Sequence, residues 1–118
     1  MKTKNLLDLV VNALADMKGQ DLEVLDVSDM TTVTDTMVIV SGTSNRHVRS
    51  LADSVVMKAK ENGRQPLGVE GEQQGDWILV DLNEVLVHVM LPKARDFYNL
   101  EKLWKISGAA RRAAQIAL

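Results

Sequence analysis

Apolar residues return every three or four positions at the start of the chain. Leu6, Val10, Leu14 and Met17 mark one face, and Leu7, Val11 and Ala13 widen it. That spacing predicts an amphipathic helix, with Thr3 placed to cap its start and Gly19 to end it. The pattern then changes. Leu22 to Val27 alternates as a short strand, and Ser28 to Asp35 is a polar loop rich in Thr and Asp. Thr36 to Val40 is almost continuously apolar and β-branched, as a central strand covered by other elements would be. After the turn Ser41-Gly42-Thr43-Ser44, a second helical stripe runs through Val48, Leu51, Ala52, Val55, Val56 and Ala59 and stops at Asn62-Gly63.

A glycine-rich stretch from Pro66 to Gly75 follows, readable as strand or loop. Asp76 to Asp81 and Glu84 to Met90 are two further strands, and the short Leu82-Asn83 link predicts a hairpin between them. Pro92 ends the second, and Lys93 to Trp104 has room for one or two helical turns. Strands and helices mixed in this order predict one α/β (α+β) two-layer sandwich over residues 1–106. A helical or frayed tail is expected over 107–118.

With Leu82 and Asn83 as the turn, Trp77 faces His88 and Leu79 faces Leu86. Alternation then divides the hairpin. Ile78, Val80, Val85, Val87 and Val89 form a uniformly apolar face suited to a core. Trp77, Leu79, Leu86, His88 and Met90 form the other, with Asp81 and Glu84 at the turn end. Two arrangements remain open. Helices cover both faces, or they cover one and leave the second as an apolar patch with a polar rim, which marks protein-binding surfaces.

Composition narrows the function. The chain has 118 residues, a formal charge of −2 and no cysteine. One domain is expected, without disulfides, thiol catalysis or a broad phosphate-binding surface. No secretory core or membrane-spanning run is present, so the cytoplasm is the expected location, with no membrane partner and no specific nucleic-acid binding. The four aromatics, Trp77, Phe97, Tyr98 and Trp104, all lie between residues 77 and 104. Aromatics carry much of the binding energy of interfaces. Phe97 also fits a core position.

Candidate chemistry is sparse. Ser41-Gly42-Thr43-Ser44 precedes a helix and could hold a phosphate on free N–H groups, or simply cap the helix. No P-loop lysine or dinucleotide fingerprint accompanies it. Glu70 and Glu72 could share a strand face and hold a metal, or lie in a solvated loop. His88 could act as a base, or sit packed in a strand or interface.

Several segments together carry a resemblance covering roughly Leu6 to Trp104. They are Thr43-Ser44-Asn45-Arg46-His47-Val48, Pro66-Leu67-Gly68-Val69-Glu70-Gly71, Trp77-Ile78-Leu79-Val80-Asp81-Leu82, Val87-His88-Val89-Met90, and Arg95-Asp96-Phe97-Tyr98-Asn99-Leu100-Glu101-Lys102-Leu103-Trp104. The chain resembles the ribosomal silencing factor S, or Iojap, family. That resemblance implies a nucleotidyltransferase-related fold and binding to large-subunit ribosomal protein fourteen at the intersubunit face. It also implies blocked subunit joining and homodimers off the ribosome. The residues lack the carboxylate arrangement that phosphoryl transfer needs, so no enzyme activity and no cofactor are expected. The partner contacts expected from the hairpin face and the aromatic cluster are Trp77, Leu79, Leu82, His88 and Met90 on the hairpin, and Phe97, Tyr98 and Leu100 beyond it. Asp81, Glu84 and Glu101 are the expected acidic rim. The related fold leaves two alternatives: a nucleotide-binding or nucleotidyl-transferring enzyme using Ser44, Glu70 and Glu72, and a plain homodimerisation module. Against the enzyme stands Gly42-Thr43 where nucleotidyltransferases carry Gly-Ser.

Overall fold

The computed structural model describes residues 3–100; Glu101, Trp104 and the tail at 107–118 lie outside them. Helix α1 spans Thr3–Asp16, so Thr3 is its first residue. It buries Leu6, Val10, Ala13 and Leu14. Its end is closed by Lys18, at φ 62°, and by a bond from Gly19 N–H to Leu14 O. Gly19 is required for closeness rather than dihedral freedom. A Cβ there would lie 2.7 Å from Val40 Cγ2, so the absence of a side chain lets α1 turn directly onto the sheet.

Strand β1 (Gln20–Asp26) pairs antiparallel with β2 (Thr36–Ser41), with a register irregularity between Gln20 and Glu23. Helix α2 (Asn45–Glu61) buries Val48, Leu51, Ala52, Val55 and Ala59. Ser44 is its cap, accepting from His47 N–H at 3.1 Å. Strand β3 (Gly68–Glu70) resolves the strand-or-loop stretch as a three-residue edge strand on β4 (Trp77–Asp81). Strand β5 (Val85–Met90) pairs antiparallel with β4 and parallel with β2, and α3 (Pro92–Tyr98) follows. The sheet order is β1-β2-β5-β4-β3. The α+β expectation therefore holds, as a mixed five-stranded sheet with three helices among the described residues.

The main core lies between α1, α2 and one sheet face, where Val38, Val40, Ile78, Val80, Val85, Val87 and Val89 are buried. The second face holds a smaller cluster of Val27, Met37, Ile39, Met90 and Leu100, with Leu25, Met30, Trp77, Leu86 and Ala94 against it. β2 reads as continuously apolar because both its faces are buried. Of the two arrangements open from sequence, the structure lies between them. One face is sealed by two long helices, and the other is partly covered by a short one.

Candidate functional site

The hairpin pairs in a different register from the one its sequence suggests. Trp77 pairs with Met90, Ile78 with Val89, Leu79 with His88, Val80 with Val87 and Asp81 with Leu86. The expected pairing is thus off by two residues: Trp77 does not face His88, nor Leu79 Leu86. The bond from Leu82 N–H to Val85 O makes Asn83 and Glu84 the turn. Asn83 takes φ 75°, a conformation asparagine tolerates, and its N–H is held by Asp81 Oδ1 at 2.9 Å. A slip of two leaves every side chain on its expected face. Ile78, Val80 and Val87 still point to the helices, and Trp77, Leu79, Leu86, His88 and Met90 to the other side.

On that other side an aromatic column runs from solvent inward. Phe97, 81% exposed, meets Tyr98 edge-on with centroids 5.0 Å apart. Tyr98, 50% exposed, leans on Trp77 at 4.6 Å. Trp77 in turn packs at 5.8 Å from His88, which is only 6% exposed. The Trp77 indole N–H donates to His88 Nδ1 at 3.0 Å. An indole nitrogen can only donate, so this bond places the imidazole proton on Nε2. Burial lowers the His88 pKa to about 4, so the ring is neutral near pH 7.

The base of this column is held from several directions. Gly71, at φ 89°, lies so close to Trp77 that a Cβ would fall 2.1 Å from the Trp77 carbonyl oxygen, and only glycine fits there. The loop after it is tied to α2 by Arg49, which donates to the carbonyls of Glu72 and Gln73, and by Asn45, which donates to Gln74 O. Leu91 N–H donates to Asp76 O, linking the start of α3 to the start of β4. Arg95, buried in α3, donates to Ser41 Oγ at 2.9 Å and pins that helix to β2. These backbone and guanidinium contacts fix where Trp77 and Tyr98 meet.

The expected contacts fall into distinct groups. Trp77, Leu79, Phe97 and Tyr98 reach the surface on one side, and Asp81 lies half-buried at the turn end. His88, Met90 and Leu100 are buried beneath that surface, so in the free chain they support it rather than form it. Leu82 is a correction: it is buried with the α1–α2 core, on the opposite side of the sheet, because the turn starts one residue later than the sequence suggests. Glu84 is engaged within the chain, in an ion pair with Arg64, which also donates to Leu82 O. Arg64 was not distinguishable in the sequence, since its partner is twenty positions away. Leu86 shares the face and is partly buried.

The groups named for phosphoryl transfer do not converge. Ser44 Oγ is occupied as the α2 cap. Glu70 and Glu72 are exposed, and among the described residues no three His, Asp or Glu side chains gather as a metal site. His47 bridges two elements instead: its Nδ1 accepts from Thr43 N–H, and its Nε2 donates to Met17 O at 2.8 Å.

Comparison with known proteins places this arrangement in context. Residues 1–117 match the family model described as "Ribosomal silencing factor during starvation". The ribosomal silencing factor RsfS of Chromobacterium violaceum is 45% identical over 104 residues, spanning 88% of this chain and 85% of that protein. The ribosomal silencing factor RsfS of Haemophilus influenzae is 40% identical over 99 residues, spanning 84% and 97%. A crystal structure of a Chromobacterium violaceum protein superposes with a TM-score of 0.87 at 44% identity, covering 95% of this chain and 98% of that one. The sequence match, the relatives and the shared fold together show that the chain belongs to the ribosomal silencing factor (RsfS) family.

Proposed function

We propose that the chain silences translation by steric occlusion. The face around Trp77 docks on large-subunit ribosomal protein fourteen, and the bound domain keeps the small subunit from joining. The observation that carries this reading is the column of Phe97 and Tyr98, exposed yet stacked onto an anchored Trp77. Phe97 and Tyr98 adjoin each other, and Tyr98 adjoins Trp77, so they form a contiguous patch rather than scattered exposed side chains. Such clusters form the energetic centre of protein interfaces.

The family supplies the process, and the resemblance of the sequence supplies the partner. Leu79 shares the face of Trp77, Leu86 packs against the cluster on that face, and Asp81 lies at the turn end, while Glu101 lies outside the described residues. That rim suits a basic ribosomal protein, with acidic groups acting mainly on association rate and salt sensitivity. Homodimers of the free protein would use the same face and compete with the ribosome for it. This reading implies the cytoplasm as the compartment. Among the described residues no helix is long and apolar enough to cross a membrane.

Sedimentation of ribosomal subunits tests the reading. Added wild-type chain should travel with the large subunit and lower the yield of joined ribosomes. Phe97→Asp, folded by circular dichroism, should do neither. A wild-type chain that stays at the top of the gradient, or binds without affecting joining, defeats the proposal.

A further inference from the structure

Among the described residues, the His88 ring has a hydrogen-bond donor without an acceptor. With Nδ1 filled by the Trp77 indole, the proton resides on Nε2. That atom is buried and has no partner among the described residues. The same-face neighbours set by strand register, Ile39, Leu79, Leu86 and Met90, offer no oxygen. Buried donors are almost always satisfied, because leaving one unmade forfeits the bond it had with water. A leucine here would fill the face without that penalty.

The cover over this ring is not a sealed core. Trp77 is only partly buried, Tyr98 is half-exposed, and both stand where a docking partner would press. Tyr98 belongs to a seven-residue helix whose N-cap makes no side-chain hydrogen bond. Side-chain rotation on binding is common at interfaces.

We propose that His88 Nε2–H is a donor reserved for the docking partner: a backbone carbonyl oxygen on an apolar segment of that protein enters beside Trp77 and accepts it. This rests on the docking-face reading above. The apolar walls select an uncharged acceptor, since a carboxylate would lose its hydration for a single neutral donor. A carbonyl in an apolar segment fits both the donor and its walls.

The test uses the full chain labelled with ¹⁵N-histidine, whose two rings are readily assigned, and purified ribosomal protein fourteen. On saturation the His88 Nε2–H signal should move downfield and exchange more slowly with water. His88→Leu should weaken binding about tenfold or more, because the partner's carbonyl is then buried unpaired. A signal that does not move while the partner binds overturns the proposal, as does wild-type affinity in a folded His88→Leu. So does a signal already downfield and protected in the free chain, which would identify a trapped water as acceptor. If His88→Leu does not fold, the wild-type resonance decides alone. The docking face itself is tested by Phe97→Asp: if that variant binds as wild type, the face is wrong and the donor has no partner. If it loses binding while the His88 signal stays still in the wild-type complex, the face stands and only the donor role falls.

Discussion

On the helix side of the sheet, Val38, Val40, Ile78, Val80, Val85, Val87 and Val89 meet Leu6, Val10, Leu14, Val48, Leu51 and Val55 from two long helices. On the other side Met37, Ile39, Leu86, His88 and Met90 meet a seven-residue helix, Leu100 and a loop. The first face is β-branched and aliphatic throughout, so its side chains lose little rotamer freedom and pack against rigid partners. The second carries flexible methionines, a titratable ring and the aromatics. Methionine adapts to irregular surfaces, and tyrosine and tryptophan offer large contact area with a polar end. One face is packed between the sheet and two long helices, and the other leaves aromatic side chains in solvent.

Four measurements would break or sharpen that contrast. The largest effect belongs to the sealed side. Leu51→Ala, at a fully buried position under Val40 and Gly19, should cost about 2–5 kcal/mol in urea denaturation. A loss under about 1 kcal/mol would mean that this core can collapse around the gap, which a close-packed face should not allow.

Next is the acid response of the other side. His88 takes its proton near pH 6.5 when unfolded and only near pH 4 when folded, because burial disfavours its charge. Stability from this residue is therefore full above about pH 6.5. It falls as the pH drops toward 4, by up to about 3 kcal/mol, since the unfolded chain gains a proton the fold refuses. The difference between wild-type and His88→Leu stability curves should show this slope. Parallel curves would mean that the ring is hydrated in solution.

A smaller effect is expected where α2 meets the hairpin turn. Arg64 holds the Glu84 carboxyl below its ordinary pKa, and both side chains are 22% exposed. Arg64→Ala should cost about 1 kcal/mol at neutral pH. The loss should shrink as the pH falls through the carboxylate range, because the ion pair contributes only while Glu84 is ionised, leaving the bond from Arg64 to Leu82 O.

The smallest stability effect belongs to the exposed aromatics. Phe97→Ala should leave the urea midpoint within about 0.5 kcal/mol of wild type. The same variant should lower affinity for ribosomal protein fourteen about tenfold or more in a titration. If stability falls as much as binding, Phe97 belongs to the fold, as its residue type alone allowed.

Much of the architecture was legible before any coordinates. Both long helices follow from a 3.6-residue repeat, and β2 from a run too apolar to face water. The hairpin faces were also correct, for a reason the register error illustrates. Side chains alternate with a period of two, so a slip of two preserves the faces while changing every cross-strand partner. What could not be read was Leu82. Its place in the turn or the core depends on whether α2 lies close enough to bury it. Nor could the sequence show that Arg64 would reach Glu84, or that three residues of a glycine-rich stretch would form an edge strand, since so short a strand has no periodicity.

The same division holds at the site. Local pattern determines which residues share a face, because backbone geometry repeats over a few positions. Tertiary packing decides which of them see solvent, because coverage depends on elements distant in the chain. Trp77, Leu79, Phe97 and Tyr98 could be grouped from sequence as candidate contacts. That His88 and Met90 lie beneath them emerged only when α3 folded back across β5, and with it the donor on His88.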